Sequence, residues 1–119
     1  MIRKGLPLLI LMSAVALFSL AACERTKTPE RVLIGHPACL SGSYAKAGEQ
    51  AVGGIQAAVD WVNQTHGGVQ VGKKNLPLEY KNYDCESKKE SVTSLLERLI
   101  TTDKVNFTFA PYSSGLTLA

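Results

Sequence analysis

The pattern of apolar and polar positions divides the chain into alternating strands and helices. Residues 32–35 form a short, continuously apolar run, which is typical of a parallel strand that is covered on both faces. After a polar segment, apolar residues recur at steps of three and four, which places them on one face of a helix. These residues are Ala51, Val52, Ile55, Val59 and Val62. The pattern predicts the first half of a βαβ unit.

The alternation continues to residue 110. We predict a polar turn or short hairpin at 69–74, a second strand at 76–83 and a third strand at 105–110. A second helix lies between the last two, and its buried face consists of Val92, Leu95, Leu96, Leu99 and Ile100. Strands that alternate with helices in this way indicate an α/β fold, with a parallel sheet and flanking helices.

Local signals mark the helix ends and one close contact. Ser43 is the predicted N-cap of the first helix, and Ser87 and Glu90 have the spacing of a capping box for the second. Gly53 and Gly54 lie within the first helix, where each glycine costs about 1 kcal/mol relative to alanine. They predict a close approach of helix to sheet, the alternative being that they are merely tolerated.

Composition favours a small globular domain without affinity for nucleic acid. The chain has 119 residues, of which 45% are hydrophobic and 19% charged. Without Arg3 and Lys4 in the leader, 11 of the 13 basic residues remain against 10 acidic ones. This balance, without a basic run, does not indicate a nucleic-acid partner. Residues 113–119 resemble the first turn of an unfinished helix, so we interpret the chain as the N-terminal part of a longer protein.

The first 30 residues carry targeting signals. Residues 1–22 contain basic, apolar and small-residue regions in the order of a secretory signal peptide, and the apolar part is too short to span a bilayer comfortably. Cys23 directly follows the small residues, as in a bacterial lipobox, and is the predicted lipidation site. The alternative is an ordinary signal peptide with a coincidental cysteine. Residues 23–30 are polar and aperiodic, so we expect a flexible tether between a membrane anchor and the folded domain.

Candidate ligand-binding residues follow the predicted strands, because ligands bind beyond the carboxyl ends of parallel strands. Ser41, Ser113 and Ser114 are able to bind an anion such as a carboxylate through hydroxyl and backbone N–H groups, or only to cap helices. Tyr44 is able to pack on a ligand or on the first helix. The three predicted loops are 36–43, 84–87 and 111–115.

Two cysteines and two histidines are further candidate site residues. If the first two strands are neighbours, Cys39 and Cys85 lie at the same sheet edge, and an exported protein meets an oxidising compartment. A disulfide would close a loop of about 45 residues and contribute roughly 4 kcal/mol, the alternative being two separate thiols. His36 and His66 have no partner at metal-ligand spacing, so we predict solvated or capping roles and no metal. The sequence contains no phosphate-binding motif, so it gives no indication of a nucleotide cofactor.

Several stretches, in this order and spacing, resemble one known family. They are 32–35, 40–44, 58–63 with Gly67 and Gly68, 83–84, 98–100, 103–105 and 111–115. The family is the leucine/isoleucine/valine-binding proteins, the class I periplasmic solute-binding proteins of ABC importers. The resemblance implies a fold of two α/β lobes joined by a hinge, with residues 31–119 as the truncated first part of the N-terminal lobe. It implies no enzymatic activity, and it assigns the ligand carboxylate to Ser113 and Ser114.

The chain departs from the family at two positions. Some members have an aromatic residue where Ala47 precedes Gly48, and some have a cysteine at the position of Tyr112 that pairs with the cysteine after the second strand. Within the resemblance, this leaves Cys39 as the partner of Cys85. The departures leave the preference for branched-chain ligands open.

Together these features predict a lipid-anchored substrate-binding component of an ABC transporter, in the periplasm or at the cell surface. Its ligand is an amino acid, branched-chain amino acids included, or a similar small carboxylate, which it presents to permease subunits. The alternatives are a ligand-sensing receptor domain of the same fold, or an exported serine hydrolase using Ser41 or Ser113. The hydrolase would need a nucleophile elbow, which this sequence lacks.

Overall fold

Three parallel strands and two long helices make up most of the structure, a computed structural model that describes residues 29–118. The predicted signal peptide (1–22), Cys23 and the predicted tether as far as residue 28 lie outside the described residues. The elements in chain order are β1 (Val32–Ala38), a 3₁₀ turn (Gly42–Tyr44), α1 (Ala45–His66), β2 (Val69–Val71), β3 (Lys74–Leu76), β4 (Leu78–Asp84), α2 (Lys89–Thr101), β5 (Phe107–Thr108) and α3 (Ser114–Thr117).

The main sheet has the strand order β4-β1-β5, and all its strands are parallel. β1 pairs with β4 over its whole length, from Val32 opposite Leu78 to Ala38 opposite Asp84. Since side chains alternate between the faces of a strand, Ile34 faces α1 whereas Gly35 faces Leu99 of α2. The helices therefore cover opposite faces, which confirms the predicted α/β fold with flanking helices.

The segment between α1 and β4 is an antiparallel hairpin of β2 and β3. The prediction of a short hairpin is confirmed, although it extends to Leu76, and the following strand starts after Pro77. Gly67 ends α1 in the left-handed conformation, and its N–H donates to the Asn63 carbonyl. The Asn63 side chain bonds both the N–H and the carbonyl of Leu78, so the end of α1 is fastened to the start of β4.

The close approach between α1 and the sheet occurs at a different glycine from the predicted ones. A Cβ atom on Gly53 or Gly54 would meet no other atom within 4 Å, so the prediction for these residues is wrong. A Cβ on Gly48 would lie 1.8 Å from the carbonyl oxygen of Cys39. The helix therefore touches the backbone just beyond β1 near its own N-terminus.

The predicted helix caps are also wrong. Ser43 lies within the 3₁₀ turn, and Tyr44 occupies the N-cap position of α1 without a side-chain hydrogen bond. Lys88, not Ser87, is the N-cap of α2, so Ser87 and Glu90 form no capping box. Ser87 has a φ of 57°, and its hydroxyl bonds a neighbouring loop instead of its own helix.

β1 is three residues longer than predicted, which buries His36. This residue is only 2% exposed, so the prediction of a solvated or capping role is wrong. A hydrogen bond of 2.6 Å joins its Nδ1 to the Tyr80 hydroxyl, and the Phe109 ring packs against the imidazole edge. The buried polar atoms are therefore satisfied, as burial requires.

The apolar faces of both helices agree with prediction, with one exception. Val59 of α1 and Val92 and Leu99 of α2 are buried, whereas Ile100 is 56% exposed because it lies beside the buried stripe of α2 and not on it. The predicted third strand is shorter than expected, since only Phe107–Thr108 joins the ladder. No helix within residues 29–118 is long and apolar enough to cross a bilayer.

Candidate functional site

Three loops converge at the carboxyl edge of the sheet. The first loop (residues 39–44) follows β1, the second loop (85–88) follows β4 and the third loop (109–113) follows β5. Because the strands are parallel, the loops share one edge of the sheet. β1 is the central strand, with β4 on one side and β5 on the other, so the strand order reverses at β1. Ligands of open α/β sheets bind in the crevice at such a reversal of strand order.

Asp84, the last residue of β4, joins the first loop to the second. Its Oδ1 accepts hydrogen bonds from the backbone amides of Leu40 at 2.9 Å, Ser41 at 3.1 Å and Glu86 at 2.8 Å. Desolvation works against the charged form, but hydrogen bonds from the Ser41 hydroxyl and these amides together lower the pKa of Asp84. The ionised carboxylate therefore serves as a structural acceptor within the loops.

Ser87 makes the second connection between these loops. Its hydroxyl donates to the Ser41 carbonyl at 2.7 Å and accepts from the Tyr44 amide at 3.1 Å. Gly42 has a φ of 77°, and a Cβ there would lie 2.7 Å from the carbonyl oxygen of Glu86, so only glycine fits. The first and second loops thus form one connected wall.

The third loop lies beside the first, as the positions of two tyrosines show. The ring centroids of Tyr44 and Tyr112 are 6.2 Å apart, and the rings are inclined at 58°. Both side chains remain accessible, with exposures of 37% and 55%. An open groove of about 440 Å³ begins at Tyr112, and it is lined by Pro111, Tyr112, Ser113, Ser114, Thr117 and Leu118.

The predicted site residues therefore lie at one edge of the sheet but differ in availability. Ser113 and Ser114 line the groove, and within residues 29–118 their hydroxyls make no hydrogen bond to another residue. The polar groups of Ser41 are engaged by Asp84 and Ser87, so this serine holds the wall together. Tyr44 is turned toward the third loop.

Sequence reasoning did not place Asp84, Ser87 or Tyr112 in the site, and it assigned Ser87 only to a helix cap. An acidic residue at the end of a predicted strand was a usable signal for Asp84, since loop amides there need an acceptor. No local pattern distinguishes Ser87 from an ordinary helix cap. Tyr112 was visible as an aromatic residue directly before the two serines, but its neighbour Tyr44 is 68 positions away in the chain.

Cys39 and Cys85 are the first residues of the first and second loops, and both are fully buried. Their Sγ atoms are 3.1 Å apart, and the structure contains them as two thiols. Burial, followed by the hydrogen bond to Cys85, raises the pKa of Cys39 to about 11. They share a small apolar core with Val92 and Leu116, so the start of α3 packs directly on the cysteine pair.

Within residues 29–118 neither a second depression nor a metal-binding cluster competes with this groove as a candidate site. A depression of about 450 Å³ lies at the opposite, amino edge of the sheet, among residues that include Arg31, Asp103 and Asn106. Parallel sheets bind ligands at the carboxyl edge instead. Within residues 29–118 no three histidine, cysteine or acidic side chains are grouped closely enough to hold a metal ion.

The strand order, the opposed helices and a groove at the carboxyl edge of the sheet define a lobe of the solute-binding class. The chain belongs to the periplasmic binding protein family, whose model matches residues 31–119. The resemblance seen in the sequence is thereby confirmed. Members of this family are substrate-binding proteins, and membership implies an extracytoplasmic location.

Solved structures of the same fold agree with this assignment. The chain is 31% identical to the branched-chain amino acid transporter substrate binding protein LivJ from Streptococcus pneumoniae, solved with isoleucine (TM-score 0.66, 73% of this chain and 24% of that one). An ABC transporter protein from Silicibacter pomeroyi is 33% identical (TM-score 0.62, 74% of this chain and 22% of that one). An ABC transporter solute binding protein from R. palustris, in complex with benzoate, is 26% identical (TM-score 0.56, 75% of this chain and 23% of that one). The chain thus spans less than a quarter of the length of each.

Proposed function

We propose that this protein is the extracytoplasmic substrate-binding component of an ABC transporter and that it captures an amino acid or another small carboxylate. The observation that carries the proposal is the groove along the third loop and α3, where the hydroxyls of Ser113 and Ser114 are not engaged by other described residues. Hydroxyl donors at the carboxyl edge of a parallel sheet suit an anionic group. A hydrogen bond to a charged group contributes about 1.5–3 kcal/mol.

The ligands named for two similar structures support a carboxylate. LivJ was solved with isoleucine and the R. palustris protein with benzoate. These molecules differ in their side groups, but both carry a carboxylate. In this chain the serine pair is the candidate receptor for that shared group, whereas Tyr112 and Tyr44 offer aromatic surface to the variable part of the ligand.

The proposal extends to the organisation of the whole protein. Residues 31–119 form the first part of an N-terminal lobe, and a second lobe closes on the ligand from the other side. Residues 1–22 direct export, Cys23 carries the lipid anchor and residues 23–30 tether the lobe to the membrane surface. Mass spectrometry of the exported protein tests the anchor, because Cys23 should be the N-terminal residue and should carry acyl chains. An unmodified N-terminus at another residue would refute it.

Ligand binding is tested by thermal unfolding of the complete protein encoded by its gene. The panel comprises the twenty amino acids, benzoate and short-chain carboxylates, with the matched amides as controls that lack the carboxylate charge. A ligand at one hundred times its Kd stabilises the folded state by about 2.7 kcal/mol, so at least one carboxylate should raise the Tm while its amide does not. If no compound raises the Tm, or if amides act equally well, the carboxylate proposal is wrong.

Transport is tested separately by uptake of the labelled ligand into cells with and without the gene. A transporter component predicts that uptake falls when the gene is deleted and returns on complementation. Unchanged uptake together with tight binding would instead indicate a ligand-sensing receptor. The hydrolase alternative gains no support, because neither Ser41 nor Ser113 makes a hydrogen bond to a histidine within residues 29–118.

A further inference from the structure

We propose that Cys39 and Cys85 form a disulfide in the exported protein and that this bond fastens the first loop of the site to the second. The proposal uses the extracytoplasmic location of the family but does not depend on which ligand the groove binds. It assigns a covalent role to two residues that the binding function does not otherwise use.

The strand register brings the two cysteines opposite each other. Ala38 and Asp84 are the last paired residues of β1 and β4, and Cys39 and Cys85 are the next residue on each strand. The Cys85 amide donates to the Ala38 carbonyl at 2.7 Å, so the backbones are still paired at this point. Adjacent strands lie about 4.8 Å apart, within the Cα separation of about 4.4–6.8 Å that disulfides require.

The side chains already point toward each other. Their Sγ atoms are 3.1 Å apart, whereas a disulfide needs about 2.05 Å, so bond formation requires a movement of only about 1 Å. Val92 and Leu116 enclose the pair, and both cysteines have an exposure of 0%. Within residues 29–118 neither sulfur has another cysteine as a competing partner.

Oxidation of the pair requires an electron acceptor, for which we assign a disulfide-bearing oxidant of the exported compartment. One thiolate attacks a sulfur of the oxidant's disulfide and forms a mixed disulfide. The thiolate of the second cysteine then attacks the sulfur of the first cysteine within this mixed disulfide and releases the oxidant as a dithiol. Two protons and two electrons thereby leave the protein. Because the folded wall buries both sulfurs, the exchange takes place before the two loops close over them.

The bond would reinforce contacts that already join the loops. Asp84 and Ser87 hold the first loop through hydrogen bonds to exposed backbone, and water competes with these bonds. A covalent bond at the adjacent residues limits separation of the loops even when those hydrogen bonds open. The groove begins at Tyr112 on the neighbouring loop, and Leu116 of α3 packs on the cysteines. The bond therefore lies in the core on which α3 packs, and Ser114 and Thr117 of that helix line the groove.

The test is peptide mapping of the complete protein, exported by a bacterial host and purified without reductant. The protein is unfolded in denaturant with N-ethylmaleimide, digested and analysed by mass spectrometry. We expect one cross-linked peptide pair containing Cys39 and Cys85, 2 Da lighter than the two reduced peptides together, with no alkylation at either residue. Quantitative alkylation of both residues would overturn the proposal. Peptide mapping needs no ligand, so its outcome is distinguishable from a failure of the proposed function.

A second measurement separates a structural bond from an incidental one. The unsubstituted protein and a double variant with Cys39→Ser and Cys85→Ser are each refolded either with or without reductant. Each sample is then unfolded in urea under the same condition. We expect reductant to lower the urea midpoint of the unsubstituted protein and to leave the double variant unchanged. Equal midpoints for the unsubstituted protein in both conditions would show that the bond does not fasten the loops.

Discussion

The Asp84 carboxylate accepts a hydrogen bond from the backbone amide of Ser41 at 3.1 Å, across 43 positions of sequence. The same oxygen accepts from Leu40 and from Glu86, so one charged group organises the loops after β1 and β4. The wall of the candidate site therefore depends on a residue that does not itself line the groove.

Replacement of Asp84 by alanine should destabilise the fold by about 1–2 kcal/mol, because three loop amides lose their acceptor and only water replaces it. The folded pKa of Asp84 is lowered from its ordinary value of 3.8. Its stabilisation is therefore present above pH 3.8 and is lost as the pH falls through the folded pKa. Urea unfolding should show the same difference between the two proteins at pH 7 and pH 5 and a smaller difference at pH 3. An undiminished difference at the lowest pH would contradict this role.

Alanine substitutions at two glycines of α1 should have opposite effects. A Cβ at Gly48 would lie 1.8 Å from the Cys39 carbonyl oxygen, so Gly48→Ala should destabilise the fold by about 3 kcal/mol as helix and strand are forced apart. A Cβ at Gly53 meets no atom within 4 Å, so Gly53→Ala should stabilise it by about 0.5–1 kcal/mol through helix propensity. Chemical denaturation of both variants checks this. Equal effects would refute the assigned close approach.

The buried His36 should make stability fall in mild acid. Burial lowers its pKa below the ordinary value of 6.5 and outweighs the opposing hydrogen bond to the Ala110 backbone. The unfolded chain therefore binds a proton more readily than the folded protein, and stability decreases from pH 6.5 downward until the folded pKa is reached. For this single group the slope cannot exceed about 1.4 kcal/mol per pH unit.

His36→Gln should flatten this dependence between pH 7.5 and 5.5 when unfolding is followed in urea. The exposed His66 provides a matched control, because His66→Gln makes the same replacement at a side chain that is not buried. A slope that survives in the His36 variant would show that another group causes the acid sensitivity.

Removal of the Ser113 hydroxyl should weaken ligand binding without weakening the fold. Ser113→Ala removes one donor from the groove, and a hydrogen bond to a carboxylate of about 1.5–3 kcal/mol corresponds to a loss of at least tenfold in affinity. Stability should change by less than about 0.5 kcal/mol, because within residues 29–118 the hydroxyl bonds nothing else.

The matched control is Ser94→Ala, at an exposed position of α2 where the hydroxyl bonds only the Glu90 carbonyl of its own helix. Calorimetric titration with the ligand identified in the thermal panel should give this variant the affinity of the unsubstituted protein. Equal affinity for the Ser113 variant would remove that residue from the site.

Periodicity and turn chemistry were sufficient to predict the alternation of strands and helices, the buried face of α1 and the short hairpin that follows it. These features depend on residues within about one helical turn of each other, so they are readable in a linear sequence. The same signals failed at Ser43 and Ser87, because a serine before a helix has the same local pattern whether it caps the helix or bonds another loop.

The sequence by itself determined the order of the elements, the class of fold and the edge of the sheet at which Ser41 and Ser113 would meet. Only the tertiary structure decided that Ser41 is engaged by Asp84, that Ser113 lines an open groove and that His36 is buried. The physical reason is that local backbone preferences act over a few residues, whereas hydrogen-bond partners, close contacts and burial depend on groups that pairing of β1 with β4 and β5 brings together.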